Sequence, residues 1–200
     1  MLLTSIDTLG RRPFGIGGGA VGLGRPMPTV KQDAFLRCTC GPASLEAVLR
    51  YWLPVHAATS QTELNTAMQA AYASYLQHGP NDPWMQWNDP SGMASVAQGH
   101  GLQARIERGS LTPASTPTAL ARWLANGETV ILHRLLDGHS AEEGHYTVLT
   151  GVDAHGVHMM DPWPDSPAQC FVPWSTFLQQ FQNAMSPGGQ AVRVSGFALR

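Results

Sequence analysis

Cys40-Gly41-Pro42-Ala43-Ser44-Leu45-Glu46-Ala47-Val48-Leu49-Arg50-Tyr51-Trp52 is the stretch whose reading decides the fold. Leu45, Val48, Leu49 and Trp52 recur at helical spacing, which predicts a helix with an apolar face docked in a core. The cysteine stands at the mouth of that helix. Unpaired backbone N–H groups and the positive end of the macrodipole favour thiolate over thiol there, and the thiolate is the nucleophile. A space-filling role competes with this one, because cysteine is among the most buried residue types. Gly41-Pro42 adds weight to the nucleophile, since glycine permits close backbone approach and proline suits a first helical turn.

A second constellation lies downstream. Gly144-His145-Tyr146-Thr147-Val148-Leu149-Thr150-Gly151-Val152 reads as a strand opening with a histidine, and Gly156-Val157-His158-Met159-Met160-Asp161-Pro162 as a strand closing with an aspartate. Asp153-Ala154-His155-Gly156 between them has turn chemistry, so the two form an antiparallel hairpin. The start of the first strand and the end of the second share one end of that hairpin, which sets His145 beside Asp161. A nucleophilic thiol needs a base, and the base needs a third group to fix its tautomer and orientation. Cys40, His145 and Asp161 supply those three types.

Gln32, then Cys40-Gly41-Pro42-Ala43-Ser44-Leu45, then Gly144 to Val152, then Asp161-Pro162, resembles the signature of papain-like cysteine peptidases of the bacteriocin-processing, double-glycine-cleaving type. The resemblance runs from about Thr29 to Phe197 in motif order and is specific as a set, each piece alone being weak. It implies Cys40 as nucleophile, His145 as general base and acid, Asp161 as the histidine's orienter and Gln32 as side-chain donor of the oxyanion hole. It also implies a papain-like α+β fold, a peptide or protein substrate cut after small residues such as Gly-Gly, and no cofactor. The glutamine usually stands six residues before the nucleophile; here Gln32 is eight before Cys40 and six before Cys38. Two registers are therefore open. Cys40 is preferred, because only Cys40 abuts the helix, and a Cys38–Cys40 disulfide would be strained.

Composition bounds the alternatives. Two hundred residues suffice for one sizeable core, and twelve Lys plus Arg against fourteen Asp plus Glu give no basic patch, so nucleic acid is not expected as a partner. Three cysteines without framework spacing argue against a disulfide-built scaffold, and Cys170 is expected as a packed core residue. No apolar run reaches membrane-spanning length, and Met1 to Asp7 lacks the form of a signal peptide. A protein made in the cytoplasm follows, with export by a dedicated secretion machine left open. His155 and His158 with His145 lack metal-ligand spacing, so no metal is expected. His133 and His100 read as ordinary strand or loop residues, while His139, in the polar loop before His145, is a rival base.

Residues 1–28, with the glycine run Gly15 to Gly24, read as a flexible N-terminal segment, and 29–200 as the peptidase domain. Gly18-Gly19 before Ala20 resembles a double-glycine cleavage site, against which a plain mobile linker competes. Helices are expected over Gln61–Leu76, Ser91–His100, Thr118–Asn126 (stopped by Gly127) and Trp174–Asn183. Strands are expected at Leu102–Ile106, Glu128–His133 and Ala191–Phe197, the second at the centre of the sheet. Trp84 and Trp87, on a proline-broken loop, read as a substrate wall or as a lid on the core. Helices first and antiparallel strands later describe an α+β domain with a cleft between its halves, Cys40 on one wall and His145 on the other. Within the resemblance, a leader-peptide maturation enzyme and an antibacterial toxin with a cognate immunity protein are both open. Outside it stand an acyltransferase or transglutaminase using the same Cys–His pair, and a non-catalytic peptide binder that would have no need of all four residues.

Overall fold

The computed structural model describes residues 15–16, 19–32, 39–53, 60–76, 89–135, 144–182 and 189–197. In chain order these form β1 (Gly15–Ile16), β2 (Ala20–Gly22), α1 (Cys40–Trp52), α2 (Gln61–Leu76), α3 (Pro90–Gly99), β3 (Leu102–Arg108), α4 (Thr116–Ala125), β4 (Thr129–Leu135), β5 (Gly144–Val152), β6 (Gly156–Met160), β7 (Gln169–Pro173), α5 (Trp174–Gln182) and β8 (Gln190–Phe197). All strand pairings among them are antiparallel. The main ladder runs β3-β8-β4-β5-β6-β7, and β2, with β1 beyond it, adds to β5 at the Gly151–Val152 end. The domain is α+β, with helices ahead of most of the sheet.

The central strands carry the core. Val130, Ile131 and Leu132 of β4 and Val148 and Leu149 of β5 have no exposed surface, as expected of strands covered on both faces. α1 packs along β5 and is backed by α2 and α3. Its burial is broader than one apolar stripe: every residue from Cys40 to Leu49 is buried, and Arg50 is the exposed one. The reason is size, because Ala43, Ser44 and Ala47 fill the faces turned away from Leu45 and Leu49 and let neighbouring elements approach closely. Trp52, at the helix end, is half-buried and donates its indole N–H to Thr129 at 2.9 Å. α4 ends at Gly127, whose φ of +76° is the left-handed conformation glycine adopts at no steric cost.

Two expectations need correction. The N-terminal glycine-rich segment is not all linker: Ala20, Leu23 and Met27 are buried in the core, and Val21 and Gly22 pair with Val152 and Gly151. Apolar residues interleaved with the glycines give this stretch something to bury beside β5. Cys170 packs against the core but is not enclosed by it. It lies half-buried on β7, a strand that among the described residues pairs only with β6 and was not expected from the sequence. Cys38, His139, Trp84, Trp87 and Gly18 lie outside the described residues.

Candidate active site

The hairpin brings its two candidates together. The register Val148↔Met160 continues to set Asp161 opposite Thr147, two residues along one face from His145. His145 Nε2 donates to Asp161 Oδ1 at 2.8 Å, both residues being buried. That bond fixes the tautomer and leaves Nδ1 as the nitrogen able to take a proton.

The carboxylate is held from three directions. Oδ1 also accepts the backbone N–H of Trp163 at 2.9 Å, and Oδ2 accepts Arg134 Nη2 at 3.0 Å. Burial pushes the Asp161 carboxyl upward, but the hydrogen bond and charge of His145, the Trp163 N–H and Arg134 together outweigh it, and the group sits below its ordinary range. Trp163, 39% exposed, stands edge-on to the imidazole with ring centres 5.8 Å apart, placing a large apolar surface at the rim beside His145.

Gln32 is tied to the same loop. Its backbone N–H donates to Pro162 O at 2.7 Å, and the neighbouring Lys31 ammonium donates to the carbonyls of Asp161, Trp163 and Ser166 at 3.2, 2.8 and 2.5 Å. Gln61, the first residue of α2, donates its side-chain amide to Lys31 O at 2.6 Å. The side-chain oxygen of Gln32 is buried without a hydrogen bond.

Cys40 opens α1, 8% exposed. Thr39 at the cap position makes no side-chain capping bond and the first turn holds no carboxylate, so the helix's own residues do not neutralise its positive end. One turn further on, Ser44 Oγ donates to Tyr146 O at 3.2 Å, both groups buried, which ties the start of α1 to the strand opening that carries His145. The structure thus joins His145 to Asp161 directly, Gln32 through Pro162, and the Cys40 helix through Ser44.

Several residues of the site escape sequence reading. Arg134, 4% exposed, also donates to Gln180 of α5 at 2.8 Å. His133 lies buried beneath Gly144 and Tyr146; burial, then repulsion from His145, against a smaller pull from Asp89, lowers its pKa to about 4. Lys31 acts through backbone carbonyls far along the chain. The signal that could have found one of them is the charge of Arg134 next to the end of β4, after the apolar run Val130 to Leu132. His158 donates to Asp153 Oδ2 at 2.8 Å in the hairpin turn, and burial pushes the Cys170 thiol up, away from the nucleophilic thiolate form.

The sequence profile of a family described as "Peptidase_C39 like family" matches residues 26–188. Among solved structures, the peptidase domain of Streptococcus ComA, a bi-functional ABC transporter involved in a quorum-sensing pathway, superposes with a TM-score of 0.59 at 17% identity, covering 86% of this chain and 99% of that one. A double-glycine-motif protease from an AMS/PCAT transporter, solved with its leader peptide, gives 0.51 at 16% identity, covering 86% and 96%. The peptidase domain of Streptococcus mutans ComA gives 0.50 at 17%, covering 84% and 99%. No curated protein matches the sequence.

Proposed function

The chain belongs to the Peptidase_C39 like family of cysteine peptidases, and from that premise we propose that it hydrolyses peptide bonds with a Cys40–His145–Asp161 triad and Gln32 as oxyanion donor. The observation that carries this assignment is the buried 2.8 Å bond from His145 Nε2 to Asp161 Oδ1, at the strand opening to which Ser44 ties the Cys40 helix. His145 Nδ1 takes the thiol proton, and Cys40 Sγ adds to the scissile carbonyl. The oxyanion that develops is stabilised by the Gln32 amide and the Cys40 backbone N–H, one such donor contributing about 10²–10³ in rate. The imidazolium returns its proton to the leaving amine as the C–N bond breaks. Water, deprotonated by the same Nδ1, then attacks the thioester and frees Cys40.

For substrate we favour a peptide with Gly-Gly at the cleavage point, as in a leader segment, on the likeness to a double-glycine-motif protease solved with its leader peptide. A cleft that admits no side chain discriminates by exclusion, a strong form of selectivity. Model peptides ending in Gly-Gly before the scissile bond should be cut far faster than Gly-Leu or Leu-Leu analogues, and not at all by Cys40→Ala. Equal rates across the series would remove the glycine specificity and leave a general cysteine peptidase. Expression in a bacterial cytoplasm separates two uses of the activity: growth arrest by wild type but not by Cys40→Ala marks a toxin, and unimpaired growth with efficient leader cleavage marks a maturation enzyme.

A further inference from the structure

We propose that Arg134 is a positioning residue of the triad, its guanidinium fixing the Asp161 carboxylate in the plane and charge state in which Oδ1 receives His145. The inference rests on reading Cys40, His145 and Asp161 as that triad. Arg134 sits in the interior half of the sheet, directly across the β4–β5 ladder from His145, so both side chains rise from one face. Burying a guanidinium is costly unless it is paired and hydrogen-bonded, and this one splits its donors between Asp161 Oδ2 at 3.0 Å and Gln180 Oε1 at 2.8 Å. Gln180 thereby anchors the fork to α5, and the fork anchors the carboxylate. A planar guanidinium suits this task because its donors diverge at fixed angles, which an ammonium cannot reproduce.

The surroundings define what Arg134 does electrically. Facing Asp161 and His145 are Arg134 from β4, Lys31 from the segment before Gln32, and Cys170 from β7, with the neutral Gln180 from α5, while His133, the register partner of Tyr146, rises from the other face of β4 and acts on His145 through its charge. Lys31 spends its ammonium on the carbonyls of Asp161, Trp163 and Ser166, and no carboxylate oxygen is among its acceptors there. Arg134 is therefore the permanent cation bonded to the Asp161 carboxylate. Without it, either Asp161 takes up a proton and no longer orders the imidazole, or it stays ionised and binds the imidazolium too tightly to release the proton. Both outcomes move the activity profile to higher pH.

The test is the pH dependence of kcat/KM and kcat for Arg134→Met and Arg134→Lys, measured on a Gly-Gly peptide. An opposite charge at this range moves a carboxyl by about one to three pH units, so Arg134→Met should displace the profile upward by about one unit or more, with kcat lowered and KM little changed. Arg134→Lys should lie between it and wild type. In an Asp161→Asn background, Arg134→Met should cost little further activity. Should Arg134→Met fail to fold, Arg134→Lys carries the test by the same profile. A folded Arg134 variant with the wild-type profile and kcat overturns the proposal. Activity surviving in Cys40→Ala or His145→Ala would instead overturn the triad reading, whatever Arg134 does.

Discussion

Arg134 and His145 are register partners across the β4–β5 ladder, and both end on one carboxylate, Asp161, at the close of β6. Three adjacent strands thus build the His–Asp half of the site where their ends meet, in the interior of the ladder. Such a half is rigid, because each side chain rises from a hydrogen-bonded ladder and is buried. The thiol comes from a separate element, α1, whose position rests on core packing and on the Ser44–Tyr146 bond. That division assigns distinct tests to the two halves.

Cys40→Ala should abolish turnover, a loss on the order of 10⁶-fold in kcat for removal of a nucleophile, with the melting temperature nearly unchanged because the removed atom is small. Cys38→Ser should leave activity intact. Steady-state rates and thermal unfolding of the two variants decide the register, and a dead Cys38→Ser beside an active Cys40→Ser would assign the nucleophile to Cys38.

His145→Ala should be as inactive as Cys40→Ala, whereas Asp161→Asn should retain a measurable remnant, about 10⁴-fold below wild type, because the aspartate orients the imidazole and exchanges no proton in the reaction. Full activity in His145→Ala would dissolve the triad.

Much of this arrangement is legible in the chain. The α1 helix shows in Leu45, Val48 and Leu49 and the hairpin in the turn chemistry of Asp153 to Gly156, so His145 and Asp161 could be placed at one end of it before any coordinates, whereas the register shift between Leu149 and Gly151 that turns Asp161 to the face of His145 is not legible there. What the sequence hides is set by tertiary contact. Lys31 meets three carbonyls more than a hundred residues away, and no local pattern encodes that. Arg134 looks like the polar end of an apolar strand until Asp161 and Gln180 arrive. Ala20 to Met27 looks like linker because glycine dominates its composition, although a few apolar residues suffice to seat it beside β5.

Gly144→Ala should destabilise the fold and depress activity together. A Cβ there would overlap the imidazole ring of His133, which is itself buried and packed on Tyr146 with ring centres 4.6 Å apart. Overpacking of this kind costs about 1–3 kcal/mol, and for a chain of this size each kcal/mol lowers Tm by about 2–4 °C. In a His133→Ala background the added methyl has room, so the double variant should lose less than the sum of the singles. Additive losses would show that the ring is not what keeps position 144 bare.

His133 should make the fold sensitive to mild acid. Its pKa falls from 6.5 unfolded to about 4 folded, because burial and the nearby His145 oppose its charge. Between those values the unfolded chain binds the proton and the native one does not, so stability drops as pH falls from about 6.5 to about 4 and levels off below. The full difference amounts to about 3 kcal/mol. Asp161 has linkage of the same sign, since its pKa is also lowered on folding, but its loss of stability falls below the ordinary carboxyl value of 3.8, beneath the His133 window. Nδ1 of His133 is buried with no hydrogen-bond partner, so His133→Phe keeps an aromatic ring and gives up no bond at that atom. Denaturant unfolding at pH 7 and pH 4.5 should show a much smaller acid loss in His133→Phe than in wild type. An equal loss in both proteins would assign the acid sensitivity to another group.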